Sequence, residues 1–201
     1  RFIQSFLERR PDGVIVQLGC GLETTYYRCD NGKTCWYAVD LPHVIEYRRG
    51  LLPEPEREFY ISGDAFAKDW IKKVRNDVLD APILVIAGGL FHYFEEHKVV
   101  ALLRMIRQFG NMEVVFDTVN KKGMAMMQKK YMKQVGHADA QMFFYVDSAK
   151  ELAAKIGSNA KVIAEEPYYR YIPRNSLNLS TRLSMAVSDR LCMVKMIQLK
   201  L

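Results

Sequence analysis

Runs of apolar and β-branched residues alternate with amphipathic stretches along most of this chain, the pattern of a parallel sheet covered by helices on both faces. Seven runs read as strands: 14–19 VIVQLG, 34–39 TCWYAV, 57–62 REFYIS, 82–87 PILVIA, 112–118 MEVVFDT, 161–166 KVIAEE and 191–200 LCMVKMIQLK. Helical spacing fills the gaps over 44–52, 69–78, 95–109, 123–135 and 148–156. Pro53 and Pro55 punctuate the second crossover, and the polar stretch 174–190 carries the weakest pattern. The chain opens at Arg1, inside a helical pattern with Phe2, Ile3, Phe6 and Leu7 on one face, which raises the expectation of residues upstream.

The stretch VIVQLGCGLETTYYR gives this frame a chemical edge. Gly19 and Gly21 fall at the carboxyl end of the first strand, where a missing β-carbon lets the backbone turn sharply and approach a ligand. The second strand ends in Asp40, roughly twenty residues on, where a carboxylate can accept both hydroxyls of a ribose. The third ends ISGDAF, which puts Asp64 at the next carboxyl end, near the place of an adenine amino group. Each has an ordinary alternative: a simple turn, a helix-initiating acid before Leu41-Pro42, a cap for the helix near Asp69. Their placement after three successive strands favours a ligand site.

Composition narrows the class. At 201 residues, 49% hydrophobic and 26% charged, the chain has ordinary globular proportions, read here as one domain over 1–201. The net charge of +6 is scattered, and pairs such as Lys129-Lys130 read as solvated helix faces, which argues against nucleic acid. No apolar run spans a bilayer and no secretory leader is visible, so a soluble, cytoplasmic protein is expected. The four cysteines form no disulfide framework and lack the close spacing of a zinc site; Cys29 and Cys35 flank a turn, and free thiols are expected.

The candidate ligand follows by elimination. A dinucleotide fingerprint wants a third glycine where Thr24 stands, and Glu23 would repel a pyrophosphate. Gly32-Lys33-Thr34 lacks the upstream glycine of a phosphate loop, having Tyr27 there, and leads into a strand. An adenosine without phosphates and with a cationic amino-acid tail tolerates such acids, and S-adenosylmethionine is that ligand.

VIVQLGCGLETTYYR, WYAVDLPHVIEYRRGLLPE, ISGDAF and LVIAGGLFHYF together resemble the leucine carboxyl methyltransferase family, in particular its bacterial branch of polyketide-type O-methyltransferases, over roughly residues 6–116. The resemblance implies a class I methyltransferase, Rossmann-like α/β fold: a seven-stranded sheet with the last strand antiparallel beside the fifth and helices on both faces. It implies S-adenosyl-L-methionine as cofactor, with S-adenosyl-L-homocysteine as product. Gly19, Cys20 and Gly21 would line its methionine portion, Asp40 with Leu41 would hold the ribose, and Asp64 with Ala65 would read the adenine. After the fourth strand the family usually carries Ala-Glu-Gly, whereas this chain has Ala87-Gly88-Gly89, so the acid that approaches the cofactor is absent. Tyr93 matches a family tyrosine near the substrate carboxylate, and His92 replaces a commonly apolar residue. The family's upstream helices, with an arginine for the cofactor carboxylate, have no match here.

Methyl transfer is an in-line displacement, and positioning supplies most of the acceleration, ~7 to 11 kcal/mol being available from that source. A carboxylate acceptor needs no base; for a phenol or alcohol, His92 and His97 are the first candidates. Met124, Met127 and Tyr131 fall on one helical face, read first as core and second as an acceptor-pocket wall. Tyr168, Tyr169 and Tyr171 read as packing first and as a lid second. The leading reading is an O-methyltransferase acting on a carboxylate or hydroxyl of a small molecule or peptide. A non-catalytic cofactor-binding protein of the same fold is the alternative, and a nucleic-acid methyltransferase, suggested only by positive charge, is the third.

Overall fold

The computed structural model of the chain describes residues 1–128 and 141–201. Among these, seven strands form one sheet: β1 (Val14–Leu18), β2 (Trp36–Asp40), β3 (Glu58–Ser62), β4 (Ile83–Ala87), β5 (Met112–Val119), β6 (Lys161–Pro167) and β7 (Val194–Lys200). Their order is β3-β2-β1-β4-β5-β7-β6, with β1 to β5 mutually parallel and β7 antiparallel to both β5 and β6. This is the expected class I arrangement, the last strand lying beside the fifth.

The period-2 alternation of each strand divides the core between two faces. Val14, Val16 and Leu18 of β1, Ile83 and Val85 of β4 and Val114 and Phe116 of β5 point to one side. There they meet Trp70, Ile71 and Val74 of α4 (Asp69–Val78), Leu103 and Ile106 of α5 (Glu96–Arg107), and Leu152 and Ile156 of α7 (Ala149–Ile156). The intervening residues Ile15, Trp36, Leu84 and Val115 face the other side, against Ile3 and Phe6 of α1 (Phe2–Arg9) and Tyr26 of α2 (Thr25–Cys29). Ala38 of β2 packs there with Ile45 of α3 (Pro42–Leu51) and Tyr60 of β3. Helices therefore cover both faces, and β4 and residues 36–39 of β2, buried on each, read as continuous apolar runs.

Local signals set the helix starts. Pro42 occupies the first turn of α3, where its missing N–H costs nothing. Ser148 accepts the Glu151 N–H at the start of α7. Asn178 accepts the Thr181 N–H at the start of α8 (Leu179–Arg190), which occupies most of the weakly patterned stretch. After β5 comes α6 (Lys121–Met126), where Met124 is buried and Met127 beyond it packs beside Val119 and Met142, so these methionines are core. The remainder of the helix expected over 123–135, including Tyr131, lies outside the described residues.

The strand order reverses between β1 and β4, and ligands of open α/β sheets bind outside the carboxyl ends at such a point. The ladder runs on past the strand ends: Gly19 N–H donates to Val39 O at 2.9 Å and Gly63 N–H to Asp40 O at 2.8 Å. Residues 19, 40 and 63 thereby meet at one edge.

Candidate active site

Two clefts open along that edge and share Gly19. The smaller, about 100 Å³, is lined by Gly19, Asp40, Leu41, Asp64, Ala65 and Phe66 among others. The larger, about 500 Å³, is lined by Gly19, Cys20, Glu23, Gly88, Gly89 and Asp117, with Tyr168 at its side. Gly19, Gly21 and Gly89 all have left-handed φ, of 63°, 47° and 66°, which side-chain-bearing residues rarely adopt. At Gly19 a β-carbon would also stand 2.9 Å from Leu90 Cδ1.

Asp40 is the pivot of the smaller cleft. Its Oδ2 accepts the Gly21 N–H at 2.8 Å and its Oδ1 accepts the Leu41 N–H at 2.7 Å. Each oxygen keeps acceptor capacity for a second donor, so a vicinal diol can bridge the two. Asp64 Oδ1 accepts the Phe66 N–H at 2.8 Å, which fixes the loop after β3 rather than capping α4, whose N-terminus carries no side-chain cap. Phe66 and Phe94 sit with ring centroids 4.2 Å apart beside it.

A buried arginine braces the glycine turn. Arg48, on the core face of α3 three residues after Ile45, is fully buried, as is Glu58 on β3. One guanidinium nitrogen donates to the carbonyls of Gly21, at 3.0 Å, and Glu23, at 2.8 Å; the other reaches both Glu58 oxygens at 3.2 and 3.3 Å. Burial pushes the Glu58 carboxyl above its ordinary value, and Arg48 only partly offsets this. The turn that presents Gly21 N–H to Asp40 is thus anchored from behind. Burial likewise pushes the Cys20 thiol up to about 12; Cys20 packs with Ala38 and Ile45 as a neutral core group.

The loop after β4 holds the second set of candidates. Ala87 is buried at the strand end and Gly88 and Gly89 line the larger cleft. His92, on the 3₁₀ turn Phe91–Tyr93, is buried, and its Nε2 lies 3.1 Å from Asp117 Oδ2, while Asp117 Oδ1 accepts the Gly89 N–H at 2.6 Å. Nδ1 of His92 has no hydrogen-bond partner among the described residues. Both Asp117 oxygens are thus engaged, one by a backbone N–H and one by the His92 ring. Burial pushes the Asp117 carboxyl up, but the His92 contact and the Gly89 N–H outweigh it and hold its pKa below the ordinary value. Tyr93 is 51% exposed and lines neither cleft, and His97 lies in solvent against Glu95 at 3.5 Å.

Sequence reasoning missed Asp117, Arg48 and Glu58. The signals were an acid near the carboxyl end of a strand with a run of apolar residues, an arginine at helical spacing from a core isoleucine, and a glutamate on the same strand face as buried Tyr60. Among the described residues no group of three or more side chains is arranged to hold a metal, and no helix is long and apolar enough to cross a membrane.

A seven-stranded sheet of this order, with β7 reversed beside β5 and glycine turns at the β1 edge, defines the class I methyltransferase fold. Solved structures agree. A DUF574 family protein from Streptomyces avermitilis superposes with a TM-score of 0.69 at 12% identity, over 100% of this chain and 79% of that one. The O-methyltransferase NcsB1 from neocarzinostatin biosynthesis, solved with S-adenosylmethionine and 2-hydroxy-5-methyl naphthoic acid, superposes with a TM-score of 0.54 at 14% identity, over 99% and 56%.

The sequence narrows the class further: residues 1–107 match the leucine carboxyl methyltransferase family, and the chain belongs to it. It is 37% identical over 116 residues, 57% of its length, to the tetracenomycin polyketide synthesis O-methyltransferase TcmP of Streptomyces glaucescens. That match spans 42% of TcmP.

Proposed function

We propose that the protein is an S-adenosylmethionine-dependent O-methyltransferase that acts on a carboxylate or hydroxyl of a small molecule, of the polyketide kind named for TcmP. The observation that carries this reading is Asp40: a carboxylate fixed by two backbone N–H groups, beside a left-handed glycine turn at the sheet's switch point.

The residues present fit such a cofactor. Asp40 offers acceptors for the ribose diol, and the Asp64–Phe66 loop offers a carboxylate and backbone to an adenine edge. Gly21 and Gly88 leave space, with nothing within 4 Å of where their β-carbons would stand, and neither cleft lining introduces a cation that would repel a sulfonium. When bound, the cofactor supplies an electrophilic methyl group on sulfur.

The chain's own part is positional. Arg48 and Asp40 hold the glycine turn, Asp40 orients the nucleoside, and Gly19 passes the remainder of the ligand into the larger cleft, where an acceptor oxygen can be aligned. His92 is committed to Asp117 through Nε2, so general-base work, where the acceptor is a phenol, does not fall to that nitrogen.

The test is transfer of labelled methyl from S-adenosylmethionine to panels of aromatic carboxylates and phenols, run beside calorimetry of cofactor binding. Transfer to one class supports the reading. Binding without transfer to any acceptor favours the non-catalytic alternative, which the missing acid at Gly88 motivates, and absence of both removes the cofactor assignment.

A further inference from the structure

The larger cleft holds a carboxylate that the reading above does not use, and we propose that Asp117 receives the ammonium group of S-adenosylmethionine and S-adenosylhomocysteine, in place of the acid absent at Gly88. The inference rests on the cofactor reading of the two clefts. A ribose at Asp40 and an adenine at Asp64 and Ala65 fill the smaller cleft, and the amino-acid tail then passes Gly19 into the larger one, since Gly19 lines both.

Two acids line that larger cleft, Glu23 and Asp117. Glu23 is already neutralised: its Oε1 accepts from Arg28 at 2.7 Å, from the Thr25 hydroxyl at 2.9 Å and from the Thr24 N–H at 2.9 Å. Asp117 has no arginine or lysine among its described partners. It is held by the Gly89 N–H and by the His92 ring through Nε2. The carboxylate lines the cleft with no lysine or arginine beside it, an arrangement that can receive a cation.

Register brings this carboxylate to the same sheet edge as position 88. β4 and β5 pair in parallel up to Ala87↔Phe116, so Gly88 and Asp117 each follow that last pair by one residue, and both line the larger cleft. Gly88 contributes no side chain, and no atom lies within 4 Å of its absent β-carbon. A carboxylate from the adjacent strand thus lines the same cleft as the open space at position 88.

The test separates the tail from the nucleoside. S-adenosylhomocysteine and 5′-methylthioadenosine share the nucleoside and sulfur, and only the first carries the ammonium. Calorimetry of Asp117→Asn is expected to show S-adenosylhomocysteine weakened about tenfold to a hundredfold, the range of a hydrogen bond to a charged group, with 5′-methylthioadenosine unchanged within about twofold. In the Asp117→Asn background, Gly88→Glu is expected to restore the lost affinity. Asp40→Ala weakens both ligands, which marks failure at the nucleoside end. Asp117→Ser is the second variant should Asp117→Asn not fold, and the same split is expected. Unchanged S-adenosylhomocysteine affinity, as for an acid that serves only the acceptor or the fold, overturns the assignment, and so does equal loss for both ligands. Failure of either ligand to bind the unaltered protein removes the cofactor reading and this inference with it.

Discussion

Replacing Asp40 by alanine perturbs the proposed cofactor site at its pivot. The carboxylate holds the Gly21 N–H at 2.8 Å and the Leu41 N–H at 2.7 Å, and each oxygen has room for a ribose hydroxyl. Alanine removes every one of these acceptors. Hydrogen bonds to a charged group contribute about 1.5–3 kcal/mol, and about 1.4 kcal/mol is tenfold in affinity, so binding of S-adenosylhomocysteine should weaken roughly tenfold to 150-fold. The half-buried position leaves the two orphaned N–H groups within reach of water, and Arg48 still braces the turn through the Gly21 carbonyl, so the fold itself should survive. Asparagine keeps one accepting oxygen and should fall between the two. Calorimetry with S-adenosylhomocysteine, with a thermal melt of each variant as a check on folding, measures this. Affinity of Asp40→Ala within twofold of the unaltered protein would refute the reasoning, because no ribose could then be resting on this carboxylate.

Three further outcomes are expected. Arg48→Met strands the fully buried Glu58 and should cost about 3–5 kcal/mol in denaturant unfolding, most of it recovered in Arg48→Met/Glu58→Met; equal stability of the two variants would contradict the pairing. Gly88→Glu should bind the cofactor more tightly, since Gly88 lies outside the left-handed region and has open space around it; equal or weaker binding by a folded variant would mean that the loop is built differently from the family's. Asp117, with a folded pKa below its unfolded value of about 3.9, contributes stability that is present above that value and lost as pH falls through the folded one. Asp117→Asn should therefore flatten the loss of stability below about pH 4 in acid titrations of unfolding, and an unchanged acid limb would count against the shift.

β2 and β4 were legible because they are buried on both faces and read as nearly unbroken apolar runs, and across all seven strands expected and observed ends differ by at most three residues. α8 was not legible for the opposite reason. Its leucines face outward, Leu179 at 78% and Leu183 at 64% exposure, so apolar spacing there marks no core face. α2, five residues long, is too short to show a period. At the site, the glycines and acids at consecutive strand ends could be read because topology alone aligns them. Asp117 and the Arg48–Glu58 pair could not: their meaning lies in contacts across 25 and 10 residues of chain, which periodicity does not report. His92, read as a possible base, is buried with Nε2 against Asp117, a pairing that required the fold to be known.

The most direct test of the central claim is a crystal structure of the protein with S-adenosylhomocysteine. The account predicts both ribose hydroxyls on Asp40, the adenine against Asp64 and Ala65, and the amino-acid tail beyond Gly19 in the larger cleft. Ligand density elsewhere on the chain, or a nucleoside in the smaller cleft that leaves Asp40 without a hydroxyl partner, would contradict it.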